Sequence, residues 1–209
     1  MIDHLVFATS DLERTVMALA LRLGVRSVAG GQHVGFGTRN ELVALGGGTY
    51  LEIVGPDLEQ PRPVVPRPFG IDELTGEALV AWCARPDDEL EAVVSAAEAT
   101  GHRPGPISAM SRQRPDGTLL TWRLTLPQPQ APLGSVAPFL IDWGPSTHPT
   151  MSLPMPAVAL ERLVLGTPDP NQLSRLLAVV GHDERVEIET AAAISITAHL
   201  TTQVGTLRL

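Results

Sequence analysis

Two stretches far apart in the chain follow one plan, and that repetition limits the fold more than any other feature. Residues 2–23 open with the apolar run Leu5-Val6-Phe7, pass through Thr9-Ser10-Asp11 and continue with helical periodicity. Residues 160–180 repeat this with Leu163-Val164-Leu165, then Thr167-Pro168-Asp169, then a second amphipathic stretch. Aligned without gaps, Leu5, Val6, Thr9, Asp11, Leu19 and Ala20 match Leu163, Val164, Thr167, Asp169, Leu177 and Ala178. A looser copy has residues 79–84 as strand, Arg85-Pro86-Asp87 as turn and a helix over 88–99.

The same physics predicts all three helices. Asp11, Asp87 and Asp169 are placed to accept from the first unpaired backbone N–H groups, and their charge suits the positive helix end. Pro170 fits the first helical position. Apolar residues recur on one face, as in Leu12, Val16, Leu19 and Leu23. Gly24, Gly101 and Gly181 then stop the helices. Short strands follow each helix: 32–37, 40–45 and 49–54; then 107–112, 119–126 and 137–143; then 185–189, 193–201 and 203–209. Gly46-Gly47-Gly48 and Pro115-Asp116-Gly117 read as the turns between them.

The order strand, helix, then two or three strands gives an α+β fold of repeated βαβββ modules. Proline-rich connectors mark the boundaries. They place a first module at 1–56, a connector at 57–76, a second module at 77–144, a connector at 145–157 and a partial third module at 158–209.

Composition removes whole classes of function. All fifteen basic residues are arginine. Without lysine there is no Schiff-base chemistry, no lysine-anchored pyridoxal phosphate and no P-loop lysine. No nucleotide or flavin motif appears. A net charge of −8 argues against a nucleic-acid partner, and no basic run suits a membrane surface. One cysteine, Cys83, rules out an intrachain disulfide. No long apolar run and no basic leader is present, so the expected location is cytoplasmic.

Asp3-His4-Leu5-Val6, the segment from Gly30 to Asn40, Tyr50-Leu51-Glu52-Ile53 and Pro138-Phe139-Leu140-Ile141-Asp142-Trp143 resemble the glyoxalase-like branch of the vicinal oxygen chelate superfamily. The resemblance implies paired modules forming a curled mixed sheet around a pocket, with the helices outside. It also implies a divalent metal that polarises substrate oxygens. His4 and Glu52 stand at the first-module ligand positions, with Asp142 or His33 completing the set and Glu52 or a metal-bound water moving a proton. The other reading of the same residues is a hydrogen-bonded core histidine and a glutamate paired with an arginine such as Arg123. Val80 and Arg162 occupy positions matching His4 in the other two modules, and neither suits a metal.

Around that site, Arg123 offers a planar fork of donors for a substrate oxygen. Trp82, Trp122 and Trp143 supply apolar walls, Tyr50 a hydroxyl, and His33 a further contact. His102 and His182 follow helix-stopping glycines and are expected in solvent. His148 lies on a connector and reads either as a plain loop histidine or as a cover for a pocket mouth, His199 as exposed and Cys83 as a small core residue. The expected function is a lyase, isomerase or oxygenase acting on a small oxygen-bearing metabolite. Its rival is a metal-free protein of the same fold that binds or sequesters a small molecule; a homodimer is expected in either case.

Overall fold

Every residue of the first strand is buried, so alternation of its side chains must serve two cores. In this computed structural model, which describes residues 1–114, 116–126 and 131–209, the two cores lie inside and outside a closed barrel. Val6 and Ala8 face the interior, while Leu5 and Phe7 join an outer cluster under the helices.

The chain runs β1 (Ile2–Thr9), α1 (Leu12–Leu23), β2 (Val28–His33), β3 (Thr38–Ala44), β4 (Tyr50–Pro56), β5 (Glu77–Ala84), α2 (Leu90–Ala99), β6 (Ile107–Gln113), β7 (Leu119–Thr125) and β8 (Phe139–Asp142). These eight strands close in the order β1-β4-β3-β2-β6-β7-β8-β5. The first strand of each half lies parallel to the last, β1 to β4 and β5 to β8. The halves join through the antiparallel β1–β5 pair and through a narrow β2–β6 contact at Gln32 and Gln113.

The C-terminal part adds β9 (Ala159–Thr167), α3 (Pro170–Val180), β10 (Val186–Thr190), β11 (Ser195–Thr202) and β12 (Gly205–Arg208). It carries the full strand–helix–three-strand order, but its sheet reads β10-β9-β11-β12. In this sheet the first strand has the strand directly after the helix as its parallel partner. β1 already has β4 and β5 on its two edges, so this sheet cannot extend the barrel by pairing with it. It packs against the barrel by its face instead. Leu163, Leu165 and Leu200 join Leu5, Leu51 and Trp82 in one cluster with residues of all three helices.

Several sequence expectations need correction. The glycine-rich strand lies at 28–33 rather than 32–37, because Gly35 and Gly37 adopt positive φ (84° and 61°) and make residues 34–37 a turn. Asp87 does not cap α2; the helix begins later, after Glu89, whose side chain makes no capping bond. Asp11 and Asp169 do cap, accepting from the backbone N–H of Arg14 and Gln172. His102 is buried rather than solvated. Pro115, in the expected Pro115-Asp116-Gly117 turn, and residues 127–130 of the second proline-rich joint lie outside the described residues. Among the described residues no helix is long and apolar enough to cross a membrane.

Because barrel, helices and C-terminal sheet share one cluster, they should unfold as one unit. Leu163 is fully buried where they meet. Leu163→Ala should cost about 2–5 kcal/mol in a single denaturant transition. Two resolved transitions, with only the later one preserved in the variant, would contradict this.

Candidate functional site

The site begins with an irregularity in β1. The β1–β5 ladder pairs Ile2 with Ala84 and His4 with Cys83, leaving Asp3 as the extra residue of a bulge. A bulge breaks strand alternation. Ile2 therefore packs in the outer cluster while His4 lines the interior cavity. Asp3 and His4 are also free to meet: the Asp3 Oδ1 to His4 Nδ1 distance is 2.7 Å.

Asp3 is fully buried, and a buried carboxylate needs partners. Its other oxygen accepts from Trp143 Nε1 at 3.0 Å and lies 3.0 Å from His148 Nε2. Burial pushes its pKa up, but the bonds with His148 and His4 outweigh that and hold the carboxyl well below the usual aspartate range. Ionised Asp3 is a pure acceptor, so His4 carries its hydrogen on Nδ1 and leaves Nε2 free. That Nε2 faces Glu52 Oε2 across 3.7 Å, too far for a hydrogen bond.

Glu52 reaches the same space from β4. Its Oε1 accepts from Asn40 Nδ2 at 2.5 Å and lies 3.7 Å from His33 Nε2. Arg112 Nη1 donates to Asn40 Oδ1 at 2.9 Å, which fixes the amide with its NH2 toward Glu52. Gly30 makes this bond possible: a Cβ there would collide with Asn40 Oδ1 and Arg112 Nη1. His33 is held through Nδ1 by Thr38 Oγ1 at 3.0 Å, and burial keeps its imidazole pKa below the ordinary value. Tyr50 stacks on His4 with ring centres 4.8 Å apart; burial raises its phenol pKa well above 10, so the hydroxyl stays protonated.

These groups line a cavity of about 80 Å³, walled by Trp122, Phe139, Ile141 and Trp143 among others. Of the residues expected at the site, His4, Glu52, His33, Tyr50, Trp122 and Trp143 meet there. The rest do not. Trp82 faces the outer cluster, where its Nε1 donates to Val136 O at 2.9 Å. Arg123 alternates with Trp122 on β7 and so points away; it bonds Asp142 at 2.7 Å and Glu91 at 2.5 Å. Asp142 is likewise engaged outside the cavity and is not a ligand with His4 and Glu52. The described structure therefore does not pair Glu52 with Arg123.

The sequence reading missed Asp3, Asn40, Arg112 and His148. Arg112 was findable, since it pairs with Leu120 and shares the inward face with Trp122 through the β6–β7 register. His148, read as a loop histidine, instead braces Asp3. Cys83 is a buried interior residue whose thiol pKa is pushed up by burial.

A divalent ion bridging His33 and Glu52 does not fit this arrangement, and His4 Nε2 and Glu52 Oε2 offer two ligand atoms rather than a full set. β5 and β8, the second-half strands that match β1 and β4, offer only Ala81, Cys83, Phe139 and Ile141 to the interior. The Asn40 amide N–H group bonds Glu52 Oε1 and lies 3.4 Å from His33 Nε2. A donor thus sits where an ion bridging those two atoms would need lone pairs. Among the described residues, the three donors within 4.8 Å of one another are Asp3, His4 and Cys83. Asp3 already spends its oxygens on three hydrogen bonds, and the thiol is held protonated.

Two titrations follow. Folded His33 binds its proton more weakly than an ordinary imidazole, so it lowers stability as pH falls below about 6.5. Asp3 has the opposite bias: its contribution is present above the usual aspartate value and is lost as pH falls below about 4. Urea unfolding across pH should show His33→Gln flattening the slope below about pH 6.5, and Asp3→Asn flattening it below about pH 4. Unchanged slopes would contradict these assignments.

Residues 2–181 match the family model described as a glyoxalase-like domain. A hypothetical protein from Staphylococcus aureus superposes with a TM-score of 0.65 at 18% identity, covering 99% of this chain and 84% of that one. Methylmalonyl-CoA epimerase from Mycobacterium tuberculosis aligns at 16% identity and a TM-score of 0.38, over 67% of this chain and 84% of its own. A xylose isomerase-like TIM barrel/4-hydroxyphenylpyruvate dioxygenase fusion protein aligns at 17% and 0.40, over 100% of this chain and 31% of its own. No curated protein matches the sequence. With a barrel of two strand–helix–three-strand halves around the cavity, the chain belongs to the glyoxalase-like domain family.

Proposed function

We propose that the chain is an enzyme that moves a proton on a small oxygen-bearing metabolite, with Glu52 as the base. The observation that carries this reading is the gap between Glu52 Oε2 and the free Nε2 of His4, 3.7 Å wide and inside a buried cavity. Two proton acceptors face each other there without satisfying each other. A substrate C–H or O–H entering beside them would meet a carboxylate that can take its proton.

His4 has the arrangement of a relay. Asp3 holds its Nδ1–H and would stabilise the imidazolium formed when Nε2 takes the proton from Glu52. Asn40 fixes Glu52 from the other side, and Tyr50 stays a donor at neutral pH. Isomerisation or lyase chemistry next to a carbonyl suits these parts, and the proton path described here needs only the chain's own residues.

A second reading, metal-free binding without turnover, is favoured by the apolar walls contributed by the second half. Solvent exchange separates the two. In D2O with a chelator present, the wild-type protein should speed deuterium incorporation next to the carbonyl of at least one member of a panel of 2-oxo acids and hydroxyketones. Glu52→Gln should slow this by at least about 100-fold. Exchange unaffected in the variant would refute the base assignment. Exchange appearing only with added manganese or cobalt would restore a metal mechanism, and tight binding without exchange would favour the second reading.

A further inference from the structure

Two residues that line the inner cavity each carry a buried donor with no hydrogen-bond partner: Arg112 Nε and Trp122 Nε1. Both side chains are more than nine-tenths buried, at 4% and 8% exposure. Leaving such donors unmade is costly, and most buried polar atoms avoid it. Arg112 is more unusual still. Its one direct bond goes to the neutral Asn40 amide, and among the described residues no carboxylate lies within ion-pair distance of it. By contrast Arg67 and Arg185, also largely covered, each hold an aspartate.

The inner cavity is not closed. Pro68, Phe69, Leu126 and Phe139 also line a second cavity of about 790 Å³, which extends over Val80, Ala81, Pro104 and Ala137. At the junction stands Phe69, with φ 63° and ψ 18°. It is the one non-glycine residue at positive φ among the described residues. A bulky side chain in that region is strained, and such strain gathers at ligand clamps and switches. Its ring packs 6.0 Å from Phe139, at the neck between the two spaces.

We propose that the two cavities form one site for an amphiphilic carboxylic acid. The carboxylate lies in the inner cavity against Arg112 Nε and Trp122 Nε1, and the apolar tail passes Phe69 into the larger groove. The guanidinium supplies the charge that a carboxylate needs once stripped of water, and the indole N–H adds a second donor. A few-atom head fills the small cavity; the groove has room for the rest. This assignment rests on the inner cavity being the working site, as in the function proposed above, but it does not depend on the proton step.

Calorimetric titration with butanoate, hexanoate, octanoate, octyl phosphate, 1-octanol and octylamine tests it. Affinity should rise about three- to fourfold per methylene along the carboxylates. Octanoate should bind at least about tenfold more tightly than 1-octanol, octylamine or octyl phosphate. Arg112→Gln and Trp122→Phe should each weaken octanoate about tenfold or more while leaving 1-octanol little changed. Trp122→Phe removes the N–H together with the pyrrole half of the indole, so its effect on 1-octanol measures the lost packing, and it stands as the test if Arg112→Gln fails to fold by circular dichroism. Equal binding of octanoate and 1-octanol, or octanoate binding intact in both variants, would overturn the head assignment. A flat chain-length series would overturn the tail assignment, and preferred octyl phosphate would replace the carboxylate by a phosphate. Repeating the titration on Glu52→Gln separates the claims. Octanoate binding retained there while deuterium exchange is lost upholds both. Binding lost in the wild type sinks this inference alone.

Discussion

The buried carboxylate of Asp3 is the interaction on which the site depends. It sits in a bulge of β1 and gathers His4 from its own strand, Trp143 from the end of β8 and His148 from the connector beyond. Residues from three distant parts of the sequence are thereby fixed around one charge. The hydrogen bonds that hold this carboxylate ionised also choose the tautomer of His4, so structure and chemistry share one cause. Removing the carboxylate would leave two histidines and an indole without their common acceptor.

The barrel makes such a buried polar centre tolerable. Its strands carry apolar residues on both faces, and the outer face is covered by three helices and a second sheet. The interior can then give part of its surface to polar groups without sacrificing the main core. Inside, the charges are distributed unevenly. Asp3 is fully bonded, Glu52 is steadied by Asn40, and Arg112 keeps a donor in reserve. A core selected for packing alone would satisfy every donor; one that awaits a ligand need not.

Much of the fold was legible in the sequence because it rests on local rules. The Thr-x-Asp before α1 and before α3, the apolar stripes and the glycine stops placed these two helices and their strands. The site was only half legible. His4 and Glu52 were singled out by their match to the family's ligand positions, and both line the cavity. Arg123 and Asp142 were misassigned, although alternation forbids Arg123 from sharing a face with its neighbour Trp122. Asp3 could not be found by alternation at all, since the bulge that turns it inward is set by pairing with β5 rather than by its own strand. Trp82 shows the same limit from the other side. A tryptophan in a strand covered on both faces can belong to either core, and only the register with Leu5 decides.

The most direct test of this account is the protonation of the His4 ring, read by nitrogen-15 NMR of imidazole-labelled protein at neutral pH. The account predicts hydrogen on Nδ1 and an unprotonated Nε2, with that preference lost in Asp3→Asn. Hydrogen on Nε2 in the wild-type protein would mean that Asp3 does not set the ring, and the proton path from Glu52 to His4 would fall with it.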